Sequence, residues 1–403
     1  MKPKFYRKVL KSGMTLLLEK RDSAKVVSVA IAVRCGGMNE SLEDKGISHL
    51  IEHMLYKGTP TRNSHQIAEE IEKKGGDLNG FTDESVTAYW VKIPSKHLNI
   101  ALDVLGDMVK NPLMDAVELE KERQVIFEEI KMRRDNPRVH VTDTVHSFLY
   151  EEPFGFPLIG NEKTLKSLTR EKIMKRFKEV YRPNNIVICV VGDADFEDIV
   201  KFAEKNFSDK RGKVAQYKIK KKNAFKIEKR KGIDQANLVF AYHVPLANDK
   251  KSYAAFLLNV LMAGGMSSRL FHEIREKRNL AYAIKGISDV NSNFAYSVIY
   301  VGTKKENVSQ VKDLILREYK KVSESLSEEE LLQVKEQVIG NHQISTEDSQ
   351  NQLVNLLMHE MNGNAKELYE FEKNIKGVKL KDVQAVASSV KEKNYSFFAL
   401  VPE

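Results

Sequence analysis

The chain has 403 residues, of which 42% are hydrophobic and 30% are charged, and its formal net charge is +9. This composition is typical of a folded, soluble protein with two or three domains. The sequence has no run of about 20 apolar residues and no apolar stretch at its start, so we expect neither a membrane-spanning helix nor a secretory signal. Its two cysteines, Cys35 and Cys189, lie in apolar runs and favour buried thiols in a reducing compartment. We therefore expect a cytoplasmic protein without a membrane partner.

The positive charge is concentrated in one segment. Residues 210–231 hold eleven Lys or Arg and one acidic residue, so the rest of the chain is close to neutral. A nucleic-acid-binding protein normally carries its basic residues as a patch on a folded face. We interpret the segment as a solvated linker and expect no nucleic-acid partner, with nucleic-acid binding through this segment as the alternative.

The hydrophobic patterns predict an order of elements that occurs twice along the chain. In the first half they predict strands at 14–19, 26–35, 77–93 and 185–191, and helices at 46–58, 65–74, 95–110, 115–134, 139–150, 169–181 and 196–207. In the second half, a strand at 238–242, helices at 253–262 and 270–277, and the segments 295–296 and 335–338 parallel elements of the first half. Such a repeat indicates an old duplication.

The repeat predicts an α+β fold of two similar domains, each a mainly antiparallel sheet packed with helices on one face. The first domain would span residues 1–209, the basic linker 210–231, and the second domain 232–403. Paired histidines occur in the first copy and are missing from the second.

The helix predicted between Gly46 and Gly58 carries the pattern His-x-x-Glu-His. His49, Glu52 and His53 are three and four positions apart, so they share one face of the helix. Two imidazoles at this spacing can bind one Zn²⁺, and the carboxylate between them can take a proton from a water at the metal. This inverted order marks one class of zinc peptidases. The alternative is a polar helix face with two structural histidines.

A catalytic zinc needs a third protein ligand. The helix predicted at 115–134 offers Glu122 and Glu129, which are two helical turns apart and share a face. Glu128 could take the ligand position if the helix were rotated about its axis. Both Glu122 and Glu129 could also be ordinary solvated carboxylates.

The strand predicted at 77–93 is polar near its start, which is typical of an edge strand or a cleft wall. An exposed edge can accept a peptide as an added strand through main-chain hydrogen bonds. Asn79 follows Gly75 and Gly76, so it could instead be a turn residue.

These features resemble the pitrilysin/insulinase family of inverted-motif zinc peptidases. Within it, the chain is most similar to the short branch that includes the catalytic subunit of the mitochondrial processing peptidase and its prokaryotic relatives. The matching segments lie in both halves of the chain, at 49–58, 75–79, 121–132, 183–193 and 264–282.

The resemblance implies a role for each residue of the metal site. His49, His53 and Glu129 would bind one Zn²⁺ per chain, and Glu122 would support the ligands from behind. Asn79 and Gly80 would lie close to the scissile peptide. Many relatives carry Ala where this chain has Gly80, which leaves the geometry of that strand open.

The resemblance also implies that the second domain contributes Arg275 and Tyr282 to substrate binding. The Tyr282 hydroxyl would stabilise the developing oxyanion, and Arg275 would bind the peptide main chain. Without the resemblance, the two residues would be interpreted as a surface arginine and a core tyrosine.

The sequence therefore predicts a zinc metalloendopeptidase that cleaves short or unfolded peptides. In the family, two such chains form a clamshell around a closed chamber, so we expect a homodimer, with a heterodimer with a related chain as the alternative. A non-catalytic scaffold subunit is the rival function, because some family members have kept the fold and lost the metal. The presence of His49, Glu52, His53 and Glu129 argues against it.

Overall fold

A computed structural model describes residues 4–207 and 210–403. The strands are β1 (Lys4–Val9), β2 (Thr15–Lys20), β3 (Val26–Val33), β4 (Asp77–Thr82), β5 (Thr87–Pro94), β6 (Ile186–Gly192), β7 (Phe225–Arg230), β8 (Ala236–His243), β9 (Ala281–Val290), β10 (Ala295–Thr303) and β11 (Ser396–Pro402). The helices are α1 (Ile47–Leu55), α2 (Ser64–Glu72), α3 (Leu98–Lys110), α4 (Ala116–Asp135), α5 (Pro137–Asp143), α6 (Val145–Leu149), α7 (Glu162–Ser167), α8 (Arg170–Val180), α9 (Phe196–Asn206), α10 (Lys251–Ala263), α11 (Val308–Ser325), α12 (Glu328–Glu347), α13 (Ser349–Met361), α14 (Phe371–Gly377) and α15 (Leu380–Ser389).

The chain folds into two compact units, and neither is continuous in sequence. The first unit comprises Met1–Ile130, Phe156–Lys218 and Ser345–Ala365. The second unit comprises Lys131–Gly155, Ile219–Ile344 and Lys366–Glu403. The sequence pattern predicts a single boundary at the basic segment. It does not predict that Ser345–Ala365 joins the first unit and Lys131–Gly155 the second.

The first unit is built on a six-stranded sheet with the order β1-β2-β6-β3-β5-β4. All neighbouring strands are antiparallel except β2 and β6, which are parallel. In β3, Val27, Val29 and Ile31 are fully buried in a core that α1 and α3 also line. Their alternation along the strand places them on one face.

The opposite face of this sheet is covered by α13, which comes from the second half of the sequence. Ser28 Oγ lies 2.8 Å from Ser349 Oγ, and Cys189 is fully buried beneath the same helix. Cys35 and Cys189 are both buried free thiols, as their apolar neighbours in sequence predicted.

The second unit is built on a five-stranded sheet with the order β7-β11-β8-β10-β9. Only the pairing of β7 with β11 is parallel. Helices α10, α11 and α15 supply the apolar side chains of its core, and α5 and α6 pack against β8 and β11. The predicted α+β fold with two mainly antiparallel sheets is therefore confirmed.

Three predicted elements differ from the structure. The strand predicted at 77–93 is a hairpin, because the chain turns at residues 83–86, where the Asp83 amide donates to the Val86 carbonyl. The helix predicted at 139–150 is interrupted at Thr144, whose hydroxyl donates to the Val141 carbonyl. Within the predicted linker, residues 225–230 form β7, since this part of the segment pairs with β11. In the described part of the chain, no helix combines the length and the apolar character needed to cross a bilayer.

Candidate active site

Helix α1 is fixed at its N-terminus by a buried carboxylate. Gly46, with φ of 95°, precedes the helix, and its amide and that of Ser48 donate to Glu40 at 3.0 and 2.8 Å. Burial raises the pKa of Glu40 to about 7. Leu50, Ile51, Met54 and Leu55 are buried in the core of the first unit. The remaining face of α1 therefore carries its histidines toward α4.

The structure brings the predicted ligand side chains together. His49 Nε2 lies 3.7 Å from Glu129 Oε2, and His53 Nε2 lies 3.9 Å from the same oxygen. One ligand atom from each of the three residues lies within 4.8 Å of the others. The three side chains are partly exposed, so a substrate can reach the site they form. Glu128, the alternative ligand, is not part of this cluster.

Glu122 holds one of these histidines. Its Oε2 atom lies 3.0 Å from His53 Nδ1, and its Oε1 atom lies 2.6 Å from Lys57 Nζ. The carboxylate is 7% exposed, so its two partners largely surround it. With Nδ1 engaged as the donor to a carboxylate, His53 presents the lone pair of Nε2 toward Glu129.

The donor set fits a Zn²⁺ ion. Two imidazole nitrogens and one carboxylate oxygen are the ligands of several catalytic zinc sites, which keep a fourth position for water or substrate. A divalent cation would also relieve the repulsion between the carboxylates of Glu52 and Glu129.

Glu52 lies on the same face of α1 and is nearly buried. Its Oε2 atom accepts a hydrogen bond of 2.5 Å from Thr82 Oγ1. Burial raises the pKa of Glu52, although the Thr82 hydrogen bond and the proximity of His53 act in the opposite direction. A carboxylate with a raised pKa is suited to accept a proton and release it again.

Strand β4 forms one edge of the first sheet, beside α1. Asn79 is exposed on this edge, within the strand rather than in a turn, and its Oδ1 atom accepts from the Gly80 amide at 2.8 Å. Gly80 lies close to Glu52: a β-carbon added to Gly80 would be 3.3 Å from Glu52 Oε1. An accessible sheet edge thus runs past the proposed proton acceptor.

Two family models match consecutive parts of the chain. The model described as insulinase (peptidase family M16) matches residues 15–162, and the model described as peptidase M16 inactive domain matches residues 167–338. A Rickettsia felis protein named as an uncharacterized zinc protease is 33% identical over 344 residues, which cover 85% of this chain and 84% of the relative. A Bacillus subtilis protein named as uncharacterized zinc protease YmxG is 30% identical over 401 residues, 98% of each protein.

The chain belongs to the insulinase family of peptidases. The crystal structure of a protease from Helicobacter pylori has the same fold, with a TM-score of 0.91 at 22% sequence identity, over 99% of this chain and 100% of that chain. The family predicted from the sequence is confirmed.

In this insulinase-family chain, Tyr282 is in the second unit, at an irregularity of β9. Gly302 of β10 pairs with Ala283 and Thr303 pairs with Ala281, so Tyr282 is the extra residue of a β-bulge. Its ring covers Gly302, where an added β-carbon would be 2.3 Å from Tyr282 Cζ. The side chain is 45% exposed.

Arg275 is also in the second unit, in a π-helical segment, Phe271–Glu276. Its guanidinium lies 4.8 Å from the centre of the Phe271 ring, and the side chain is 43% exposed. The structure thus offers Arg275 and Tyr282 at the surface of the second unit. Their predicted contacts with a substrate stay predictions.

Three further residues of the site were missed from the sequence. Lys57 contacts Glu122, Thr82 donates to Glu52, and Tyr56 lies against Gly80. The sequence did contain a signal for Lys57, since it follows His53 by four positions and would share its face in the helix predicted at 46–58. Thr82 and Tyr56 meet Glu52 and Gly80 only because β4 packs against α1, and nothing in the sequence spacing indicates this.

Proposed function

We propose that this protein is a zinc-dependent endopeptidase. The observation that carries the proposal is the convergence of His49, His53 and Glu129 beside Glu52, next to an open sheet edge. The names of the relatives, zinc proteases, support the same reaction class.

The chain's own residues would perform the acid–base steps. His49, His53 and Glu129 would hold a Zn²⁺ ion, and such an ion would supply Lewis-acid chemistry, lowering the pKa of a water and polarising the substrate carbonyl. Glu52 accepts the proton of the attacking water and passes it to the leaving amine. Thr82 keeps the Glu52 carboxylate oriented, and Glu122 keeps His53 in the tautomer that binds through Nε2.

The substrate would be a short or unfolded peptide that pairs with the β4 edge near Asn79 and Gly80. Main-chain hydrogen bonds would give affinity, because an edge strand offers unpaired amide and carbonyl groups. In a folded protein most extended segments are already paired within its own sheets, so folded proteins would be poor substrates.

Metal content and the variant Glu52→Gln test this function. We expect about one zinc per chain in both proteins, and a loss of peptide cleavage of at least 10³-fold in the variant, because the amide cannot accept a proton. Glu72→Gln, an exposed carboxylate on α2, is the matched control. Cleavage by Glu52→Gln at the parental rate would mean that a contaminating peptidase causes the activity. It would support the second candidate function, a non-catalytic scaffold subunit, with which the match to the inactive-domain family model is compatible.

We also propose a homodimer in which each site combines the metal residues of one chain with Arg275 and Tyr282 of the other. Two variants that are inactive on their own, Glu52→Gln and Tyr282→Phe, would then restore activity when unfolded and refolded together. Half of the dimers would be mixed, and one of the two sites in each would be intact, giving about a quarter of the parental activity. No recovery, or full activity in a monomer, would exclude the shared site. A heterodimer with a related chain is the alternative, and the cytoplasmic location stays a prediction.

A further inference from the structure

The hydroxyl of Tyr56 is in an unusual environment. Tyr56 follows the last residue of α1, and its ring lies 6.1 Å from the ring of Tyr89. Its Oη atom is shielded from solvent and has no hydrogen-bond partner among the described residues. A buried hydroxyl without a partner costs free energy, whereas a phenylalanine at the same place would not. The hydroxyl therefore calls for a functional explanation.

Gly80 makes room for this hydroxyl. A β-carbon at residue 80 would lie 2.5 Å from Tyr56 Oη, 2.9 Å from the Ala88 carbonyl oxygen and 3.3 Å from Glu52 Oε1. Real β-carbons do not approach other heavy atoms to 2.5 Å, so alanine is incompatible with Tyr56 in this position. The backbone does not require glycine here, because φ of Gly80 is outside the left-handed region.

The same small volume contains an oxygen of Glu52. Thr82 Oγ1 donates to Oε2 of the carboxylate, while Oε1 is the oxygen that faces Gly80 and Tyr56. Burial raises the pKa of the Tyr56 hydroxyl, and the nearby charge of Glu52 raises it further, so the hydroxyl retains its proton. A protonated hydroxyl next to a carboxylate oxygen can act as a hydrogen-bond donor.

We propose that Tyr56 is a positioning residue for Glu52, and that Gly80 is the partner that gives it space. In the substrate-bound site the Tyr56 hydroxyl donates to Oε1 of Glu52, opposite the Thr82 hydroxyl on Oε2. Both oxygens of the carboxylate are then held, so the carboxylate keeps one orientation as it accepts and returns a proton. The inference deepens the proposed peptidase function and rests on it.

The packing between Tyr56 and Gly80 can be tested without any activity. Gly80→Ala is made in the parent and in Tyr56→Phe, and thermal unfolding of the purified full chain is measured with zinc and with chelator. In the parent we expect the midpoint to fall by at least about 4 °C. In Tyr56→Phe the same substitution should cause a clearly smaller shift, because the closest clash, with the Tyr56 oxygen, is gone and the contact with the Ala88 carbonyl remains. Equal shifts in the two backgrounds would overturn the pairing.

The positioning role is tested by steady-state kinetics. Tyr56→Phe should lower kcat about ten-fold with KM unchanged, because a hydrogen bond to a charged group is lost while the peptide-binding edge is intact. Tyr181→Phe is the matched control, since its hydroxyl bonds to Tyr89 in the interior, and its kcat should stay at the parental value. An unchanged kcat in Tyr56→Phe, or equal losses in both variants, would overturn the role.

The two measurements separate the two proposals. If Glu52→Gln cleaves peptides like the parent, the proposed function fails and the positioning role fails with it, whereas the unfolding experiment still reports whether Tyr56 and Gly80 are paired. If Glu52→Gln is inactive and Tyr56→Phe is fully active, the peptidase function stands and only the role of Tyr56 is wrong.

Discussion

Glu122 joins His53 and Lys57 through the two oxygens of one carboxylate, at 3.0 Å from His53 Nδ1 and 2.6 Å from Lys57 Nζ. His53 is in the last turn of α1 and Lys57 follows two residues after the end of this helix, while Glu122 is on α4. The carboxylate therefore connects the two elements that carry the candidate ligands, and it is 7% exposed.

Glu122→Gln should weaken zinc binding by roughly 10- to 100-fold, because the neutral amide is a poorer acceptor for the His53 Nδ1 proton and His53 becomes a weaker ligand. Competition with a chromogenic chelator measures the dissociation constant directly. Glu118→Gln, which removes a carboxylate paired with Lys121 on the surface of the same helix, is the control and should leave the constant unchanged. Identical constants for all three proteins would mean that Glu122 does not act on the metal.

Thr82→Val should lower kcat/KM by roughly ten-fold or more, because it removes the donor to Glu52 Oε2 without changing the size of the side chain. Thr82→Ser keeps the hydroxyl and should retain most of the activity. Zinc content, measured in parallel, should not change in either variant. If valine and serine have the same effect, the hydrogen bond is not what matters at this position.

The candidate ligands could be predicted because each pair lies within one helix. His49 and His53 are fixed relative to each other by the helical period, and so are Glu122 and Glu129. Which of the acidic residues of α4 faces α1 depends on tertiary packing, and the resemblance to the family supplied that information. The structure places Glu129 beside both histidines and Glu122 behind one of them.

The features that were missed depend on pairing between distant segments. The hairpin with its turn at 83–86 forms because β4 pairs with β5. Residues 225–230 form β7 because they pair with β11 at the other end of the chain. Helix α13 joins the first unit across more than 300 positions of sequence, with Ser349 hydrogen-bonded to Ser28 on the outer face of the sheet. Hydrophobic periodicity reports which face of a segment is buried and does not report the partner.

Gly302→Ala should displace Tyr282, because the new β-carbon would overlap the ring that covers this residue. If Tyr282 contributes to the reaction as proposed, the peptidase activity of Gly302→Ala should fall to about that of Tyr282→Ala. The double variant should then be little less active than either single variant. The double-mutant comparison of kcat/KM measures this directly. Gly340→Ala in α12 is the control, since a β-carbon there meets no atom within 4 Å. Additive losses from Gly302→Ala and Tyr282→Ala would show that the glycine acts independently of the tyrosine.

Protonation of Asp107 should make the first unit less stable in acid. Although burial disfavours its charge, hydrogen bonds from Asn111, Thr59, Thr61 and Arg62 lower the pKa of Asp107 to about 2, from 3.8 in an unperturbed aspartate. A pKa that is lower in the folded state stabilises the protein above about pH 4, and this contribution is lost as the pH falls toward 2.

The contribution should be about 1–2 kcal/mol at pH 7, reduced from the full value because Asp103 and Glu70, the other partners of Arg62, are exposed to solvent. Urea unfolding of the parent and of Asp107→Asn at pH 7 and pH 2.5 measures it. The difference in free energy of unfolding between the two proteins should shrink by about two-thirds of that amount at the lower pH, because a folded-state pKa of about 2 leaves much of the Asp107 carboxyl ionised at pH 2.5. Asp234→Asn, at an exposed aspartate of the second unit, should show no such pH dependence. A difference that stays constant between the two pH values would show that the charge of Asp107 does not stabilise the fold.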